Sequence, residues 1–263
     1  MATRTMDHWQ TSICQVINRD GDDRVIVRGH DLNDLIDSLS FAGMMFLMLK
    51  GEMPTNEQTR VLDALLVASV EHGIAPPSMI SRCFASYGTS IQQAVGGGII
   101  AFGDRMGGLG EQMAKMMAET LSDTAGDLSI DEDALRTKAA KIVAAYKAAG
   151  ERVPGYGIPL HGADPRAPKV LGLARDNGVH GIYCRFGEIL GEELAKARGG
   201  RDIPMNLDGV GACVVLDLGF SWEATRLFLL TPRSVSMGAH YLEERSQDST
   251  WRHIPADQIT YGD

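Results

Sequence analysis

An all-α fold is predicted for this 263-residue chain from three observations. Apolar residues recur at helical spacing, as at Leu32, Leu35, Ile36 and Leu39, which fall at i, i+3, i+4 and i+7 on one face. Helix-start signals match that spacing: Thr55 with Gln58, after Pro54, and Ser129 with Glu132 both read as capping boxes. The only strand-like run is Arg-Val-Ile-Val at 24–27, with no strand–helix alternation, long-period repeat or low-complexity tract.

Taken in order, the 24–27 run is half of one short N-terminal hairpin. The helix opened by Thr55 carries Val61, Leu62, Leu65 and Val70 and is expected to stop near Gly73. Behind Ser129, the segment IDEDALRTKAAKIVAAYKAAG starts acidic and ends at Gly150, as the helix dipole and a glycine C-terminus favour. Further helices are predicted over 109–122, 167–177, 180–198, 208–219, 222–230 and 233–246. The methionine clusters MMFLML and MAKMM fit adaptable helix packing rather than a cofactor site.

Charge and composition exclude several classes. Lys and Arg total 25 against 34 Asp and Glu, a net charge of −9, with no basic run. Nucleic-acid binding needs a concentrated basic surface, so it is not expected. The longest apolar stretch, FAGMMFLMLKG from Phe41, is too short to cross a bilayer, and the N-terminus does not read as a secretory signal. Cys14, Cys83, Cys184 and Cys213 are widely spaced, which reads as buried reduced thiols in a cytoplasmic protein. The histidines form no ligand pair, so no metal is expected.

Two glycine-rich stretches interrupt the pattern: VGGGIIAFGDRMGGLGE (95–111) and GYGIPLHG (155–162). Glycine allows positive φ and close approach of a backbone or ligand. For the triple glycine alone, tight helix–helix packing is the preferred reading. No GK[ST] follows, so it is not a P-loop. Two such loops, each with an Arg nearby, point to a ligand cleft.

The punctuated segments, read in order, resemble the citrate synthase superfamily, and its compact branch more closely: the citryl-CoA lyases and the C-terminal module of ATP-citrate lyase. The segments are VIVRGHDLNDLI, MLKGEMPT, EHGIAPPS (71–78), GDRMGG (103–108), MNLDGVGACVVLDLGF (205–220), RSVSMGAHYLEER and WRHIPADQITYGD. They run in the family's order over roughly 24–263. The resemblance implies a two-domain helical fold whose large domain is discontinuous, 1–108 and 208–263, with a small CoA-binding domain at 109–207. It implies a homodimer or dimer of dimers, with acyl-CoA and a small carboxylate or ketone as ligands.

The chemistry it implies makes or breaks a C–C bond beside a thioester carbonyl. That needs an acid/base at the methyl carbon, a donor to the thioester enolate, a group exchanging a proton with the hydroxyl, and cations for the acid's carboxylates. By position, Asp208 is the catalytic acid/base, with an N-cap role as its structural alternative. Arg166 of Asp-Pro-Arg and Arg233, seven residues before His240, match the carboxylate-binding arginines. Asn206 lies two residues before Asp208 in the same motif and is a substrate-binding candidate. His72 matches a substrate-contacting histidine, or is a solvated residue near a helix end. Arg105 would meet CoA phosphates or substrate, or pair with Asp104 or Glu111. Coenzyme A would lie on Gly155, Tyr156, Gly157, Ile158, Pro159 and Leu160.

Two imidazoles of the synthase site are absent. The family's Gly-aromatic-Gly-His loop has Ile158 in place of its histidine, and His161 follows three residues later. Met106 stands where synthases place the histidine that stabilises the enolate; the lyase branch is aromatic there. Three readings follow: a C–C lyase on a β-hydroxyacyl-CoA with His161 or His72 standing in, a CoA-thioester hydrolase or decarboxylase on the same cleft, or a non-catalytic CoA-ester-binding homologue. The citryl-CoA lyase type is the reading adopted.

Overall fold

The computed structural model describes residues 9–19, 21, 23–124, 129–157, 164–247 and 250–262. The chain divides into two compact units, 1–63 and 64–263.

In the first unit, β1 (Cys14–Ile17), β2 (Arg24–Val27) and β3 (His30–Asp31) form an antiparallel sheet in the order β1-β2-β3. The expected hairpin is thus extended by a third, two-residue strand. Arg28 (φ 50°) and Gly29 (φ 88°) make the β2–β3 turn, and Arg28 Nε and Nη2 donate to Met48 O at 3.1 and 2.7 Å. Helices α1 (Leu32–Ser38) and α2 (Phe41–Lys50) follow, capped by the side chains of Asp31 and Ser40. Val27, Leu35 and Leu47 form the buried cluster between sheet and helices.

Helix α3 (Asn56–Ser69) contains the unit boundary. Its capping box forms as expected: Thr55 N donates to Gln58 Oε1 at 2.9 Å and Gln58 N to Thr55 Oγ1 at 3.2 Å. It ends before Gly73, because Val70 N bonds back to Val67 O and tightens the last turn.

The second unit continues with α4 (Pro76–Ser86), α5 (Ile91–Ile100), α6 (Leu109–Thr120), α7 (Glu132–Ala149), α8 (Arg166–Asp176), α9 (Ile182–Ala197), α10 (Leu207–Asp217) and α11 (Leu227–Ser246). Helices α4, α5 and α11 pack on one another, while α10 packs on α6, α8 and α9, and α7 on α9. Two expectations need correcting. The second capping box is displaced: Asp131, not Ser129, occupies the N-cap, without a side-chain cap bond, and Glu132 takes Arg136 Nη2 at 2.7 Å. The two helices expected at 222–230 and 233–246 are a single helix through Pro232, preceded by a short 3₁₀ turn at Trp222–Ala224. Of the four thiols, Cys184 and Cys213 are buried, whereas Cys14 is exposed and Cys83 half-buried.

The triple glycine lies inside α5 as a packing surface. A Cβ on Gly98 would come within 2.6 Å of Met237 Sδ and 3.0 Å of Pro77 O, and one on Gly97 within 2.9 Å of Phe84 Cε2. Among the described residues, no atom lies within 4 Å of a Cβ placed on Gly96. Alanine gains about 1 kcal/mol in helix propensity, but overpacking costs about 1–3 kcal/mol. Thermal unfolding should therefore find Gly96→Ala stabilised and Gly98→Ala destabilised, opposite signs two residues apart.

Candidate functional site

The site is built around the N-terminus of α10. Asn206 is its N-cap: Oδ1 accepts from Gly209 N at 3.0 Å, while Nδ2 donates to Gly157 O at 2.7 Å. Asn206 N donates to Gly155 O at 3.0 Å and Gly157 N to Pro204 O at 2.9 Å. These bonds lay the 155–157 strand along 204–206, so Asn206 joins the glycine loop to the helix start. The approach requires glycine at both ends: a Cβ on Gly155 (φ 84°) would lie 2.9 Å from Gly209 Cα and overlap Met113 Sδ.

Within that loop, Tyr156 turns inward. Its hydroxyl donates to Gly187 O, its ring packs against Gly191, and burial pushes the phenol well above its ordinary range. What the loop offers a ligand is therefore its backbone. Ile158, Pro159, Leu160 and His161 lie outside the described residues.

Asp208 is the second residue of α10, not its cap, which removes the N-cap alternative. Among the described residues its carboxylate accepts no hydrogen bond. Desolvation raises its pKa, against the charges of Arg166 and Arg233 and with that of Asp164.

Of the two arginines, Arg166 is firmly held. Arg166 opens α8, and Asp164 grips it with two bonds, Nε to Oδ1 at 2.9 Å and Nη2 to Oδ2 at 2.8 Å. Arg166 Nη1 donates to Ala68 O at 3.1 Å. Three of five guanidinium protons are thus engaged, leaving two for a ligand. Asp164 is itself buried and also accepts from Leu207 N at 3.3 Å, so one carboxylate fixes both Arg166 and the start of α10. Burial works to raise Asp164, but Arg166 brings it below the ordinary aspartate value.

Arg233 lies in α11 and is largely buried. Its Nη1 is 4.0 Å from Glu71 Oε1, and its buried Nε has no hydrogen-bond partner among the described residues. Burial lowers its pKa, against Glu71 and Asp208 and with Arg166. Arg166, Arg233 and Asp208 therefore sense one another, bringing together three of the residues expected from sequence.

Glu71 and His240 were not singled out from sequence as site residues. Glu71 accepts from the Ser236 hydroxyl, from His72 N at 2.8 Å and from His240 Nε2 at 3.2 Å. Burial works to raise Glu71, but these donors and Arg233 hold it below the ordinary range. His240 Nδ1 faces Arg82 Nη1 at 3.1 Å. Arginine can only donate, so the histidine's proton is on Nε2, toward Glu71. Behind it, Arg82 and Arg252 both bind the buried Glu244, at 2.8 and 2.6 Å. The only sequence signal for Glu71 was its place beside His72. His72 joins this cluster through its backbone.

Arg105 stands apart: it is exposed and makes no ion pair among the described residues. Arg226 has taken the partners offered as its structural alternative, pairing with both Asp104 and Glu111. Among the described residues no group of three or more His, Cys, Asp or Glu side chains is placed to hold a metal ion, and no helix is long and apolar enough to cross a membrane.

Comparison with known proteins places this architecture. The family model "Citrate synthase, C-terminal domain" matches residues 38–254. The structure of citryl-CoA lyase from Hydrogenobacter thermophilus superposes with a TM-score of 0.84 at 31% identity, over 97% of this chain and 94% of that one. ATP citrate lyase from Methanothrix soehngenii, in complex with citrate and coenzyme A, shares the fold with a TM-score of 0.79 at 18% identity, over 100% of this chain and 42% of that one. The citrate/2-methylcitrate synthase of Bacillus subtilis is 25% identical over 226 residues, 82% of this chain and 56% of that protein. The chain spans about half the length of the curated relatives it matches.

Proposed function

Because the chain belongs to the citrate synthase family, we propose that it is a carbon–carbon lyase of the citryl-CoA lyase type. It cleaves a β-hydroxyacyl-CoA thioester into a shorter acyl-CoA and a keto acid or ketone, or runs the reverse condensation. The observation that carries the reading is Asp208, a desolvated carboxylate with two guanidiniums as its charge neighbours. Likeness to a citryl-CoA lyase over nearly the whole of both chains supports it.

In cleavage, a base removes the proton of the tertiary hydroxyl, the C–O bond becomes a carbonyl, and the C–C electrons pass into a thioester enolate. Asp208 then delivers a proton to the enolate carbon, which requires it protonated at that moment; its raised pKa favours this. The hydroxyl base is His161 or His72. Arg166, through its two remaining N–H groups, and Arg233, through Nε, hold the carboxylates of the departing acid. Coenzyme A lies along the 155–157 backbone and the residues after it, with Arg105 as a phosphate contact. The discontinuous large domain, the small domain at 109–207, a homodimer or dimer of dimers, and a cytoplasmic setting belong to the same proposal.

The test is incubation with citryl-CoA and a panel of β-hydroxyacyl-CoA esters, with products read by mass spectrometry. Acetyl-CoA with oxaloacetate from citryl-CoA, or the matching pair from another ester, supports the lyase. Free CoA with the intact acid means hydrolysis and overturns it. A bond from Arg233 to a substrate carboxylate is worth about 1.5–3 kcal/mol, so Arg233→Gln should raise KM by about 10–100-fold. Thermal stability should change little, since the charge removed makes only a 4.0 Å contact with Glu71.

A further inference from the structure

The proposed reaction needs a hydrogen-bond donor to the thioester enolate, and Met106 provides none. A cavity of about 30 Å³ lies beside the first turn of α10, lined by Asp208 and Gly211 on that helix, by Gly107 and Gly110, and by Thr225. Thr225 is only 7% exposed, and its hydroxyl Oγ1 is buried with no hydrogen-bond partner among the described residues. An unpartnered buried hydroxyl costs about 1–3 kcal/mol, so it calls for an explanation. The carbonyl oxygen of a thioester sits about 2.4 Å from its α-carbon by covalent geometry. Asp208 and Thr225 line one cavity, and that short separation is all that divides the substrate atom meeting Asp208 from the oxygen to be stabilised.

We infer that the Thr225 hydroxyl, buried and unpartnered in the cavity that Asp208 also lines, donates the hydrogen bond that stabilises the thioester enolate oxygen. The inference rests on the lyase reading above. The donation forms no covalent bond: the hydroxyl keeps its proton, and the negative charge developing on the oxygen strengthens the contact during C–C cleavage and weakens it once Asp208 protonates carbon. Arg226, the next residue, lines the same cavity, but its charge is offset by Asp104 and by Glu111, which also lines it, leaving the neutral Thr225 hydroxyl as the donor.

Thr225→Val keeps the shape and removes the donor; Thr225→Ser keeps the donor. Removing one such donor costs about 10²–10³-fold in kcat. The expected result is that loss in Thr225→Val with KM unchanged, near wild-type kcat in Thr225→Ser, and a Tm for Thr225→Val equal to or above wild type, since no partner loses a bond. Exchange of the acyl-CoA product's α-protons in D₂O, which needs the enolate but no C–C cleavage, should fall by the same factor. Wild-type kcat and exchange in Thr225→Val overturn the assignment while leaving the lyase standing. A lower Tm with raised KM in Thr225→Val, and no specific loss of kcat, marks a packing role and also overturns it. If the wild-type protein cleaves no ester of the panel, the lyase reading fails and takes this inference with it.

Discussion

Asp208→Asn is expected to lower C–C cleavage by about 10²–10⁴-fold while leaving the protein as stable as, or more stable than, wild type at neutral pH. The activity loss follows from removing the group that exchanges a proton with the α-carbon, an effect of about 10²–10⁴-fold for general acid–base catalysis. The stability half follows from the sign of the pKa shift. The folded protein holds Asp208 above the ordinary aspartate value, with desolvation outweighing Arg166 and Arg233. Where the folded state binds more protons than the unfolded state, stability falls as pH rises. Wild-type Asp208 thus costs stability as pH climbs through its folded value, and asparagine, which never ionises, escapes that cost. The gap should close as pH falls below the ordinary aspartate range. Urea denaturation of both proteins across pH 3–8 checks it; an asparagine variant less stable at pH 7 would mean that Asp208 is mainly a structural counter-charge for the two arginines.

Gly209→Ala should be the most damaging conservative change at the site, costing about 3 kcal/mol or more, beyond the usual range for overpacking. Its Cβ would overlap Gly155 O and come within 2.5 Å of Met205 Cγ. The methionine is able to yield, but the Gly155 carbonyl is not, because it accepts from Asn206 N. Relief requires the 155–157 strand to lift off 204–206, breaking the bonds that Asn206 makes on both sides. Denaturant unfolding should show the loss. Gly155→Ala, which strikes the same junction and adds strain at φ 84°, should combine with it less than additively. Full additivity would mean that the two backbones yield independently.

Much of this architecture was legible in the chain itself. Helices over 109–122, 167–177, 180–198 and 208–219 appear within two residues of their expected ends, because their apolar periodicity and flanking glycines agree. Helices α4 and α5 were not separately read. The first begins at two prolines, and the second contains three consecutive glycines, whose local preference opposes helix until Phe84 and Met237 pack against them. Pro232 misled in the opposite direction: it suggests a break, yet α11 runs through it, at the cost of the intrahelical bond that a proline cannot donate. At the site, Asp208, Arg166 and Arg233 were found through ordered motifs. Glu71 and His240 were not, because their significance lies in pairing across 169 positions of sequence, which no local pattern records. Thr225 gives no signal in sequence either: being unpartnered is a property of its surroundings.

The junction under Asp208 is also unusually rich in sulfur. Cys213 Sγ lies 3.9 Å from Met117 Sδ and 3.8 Å from Met205 Sδ, and Met113 packs against Gly155. Thioethers are unbranched and polarisable, and exchange with leucine usually costs less than about 1.5 kcal/mol. Direction at this joint comes instead from one asparagine amide and two glycines. Drift through the surrounding methionines would therefore leave the geometry intact, whereas Asn206, Gly155 and Gly209 are each fixed by geometry. A lineage free to remodel its acyl pocket would find the permissive positions in the sulfur layer and the forbidden ones in those three residues.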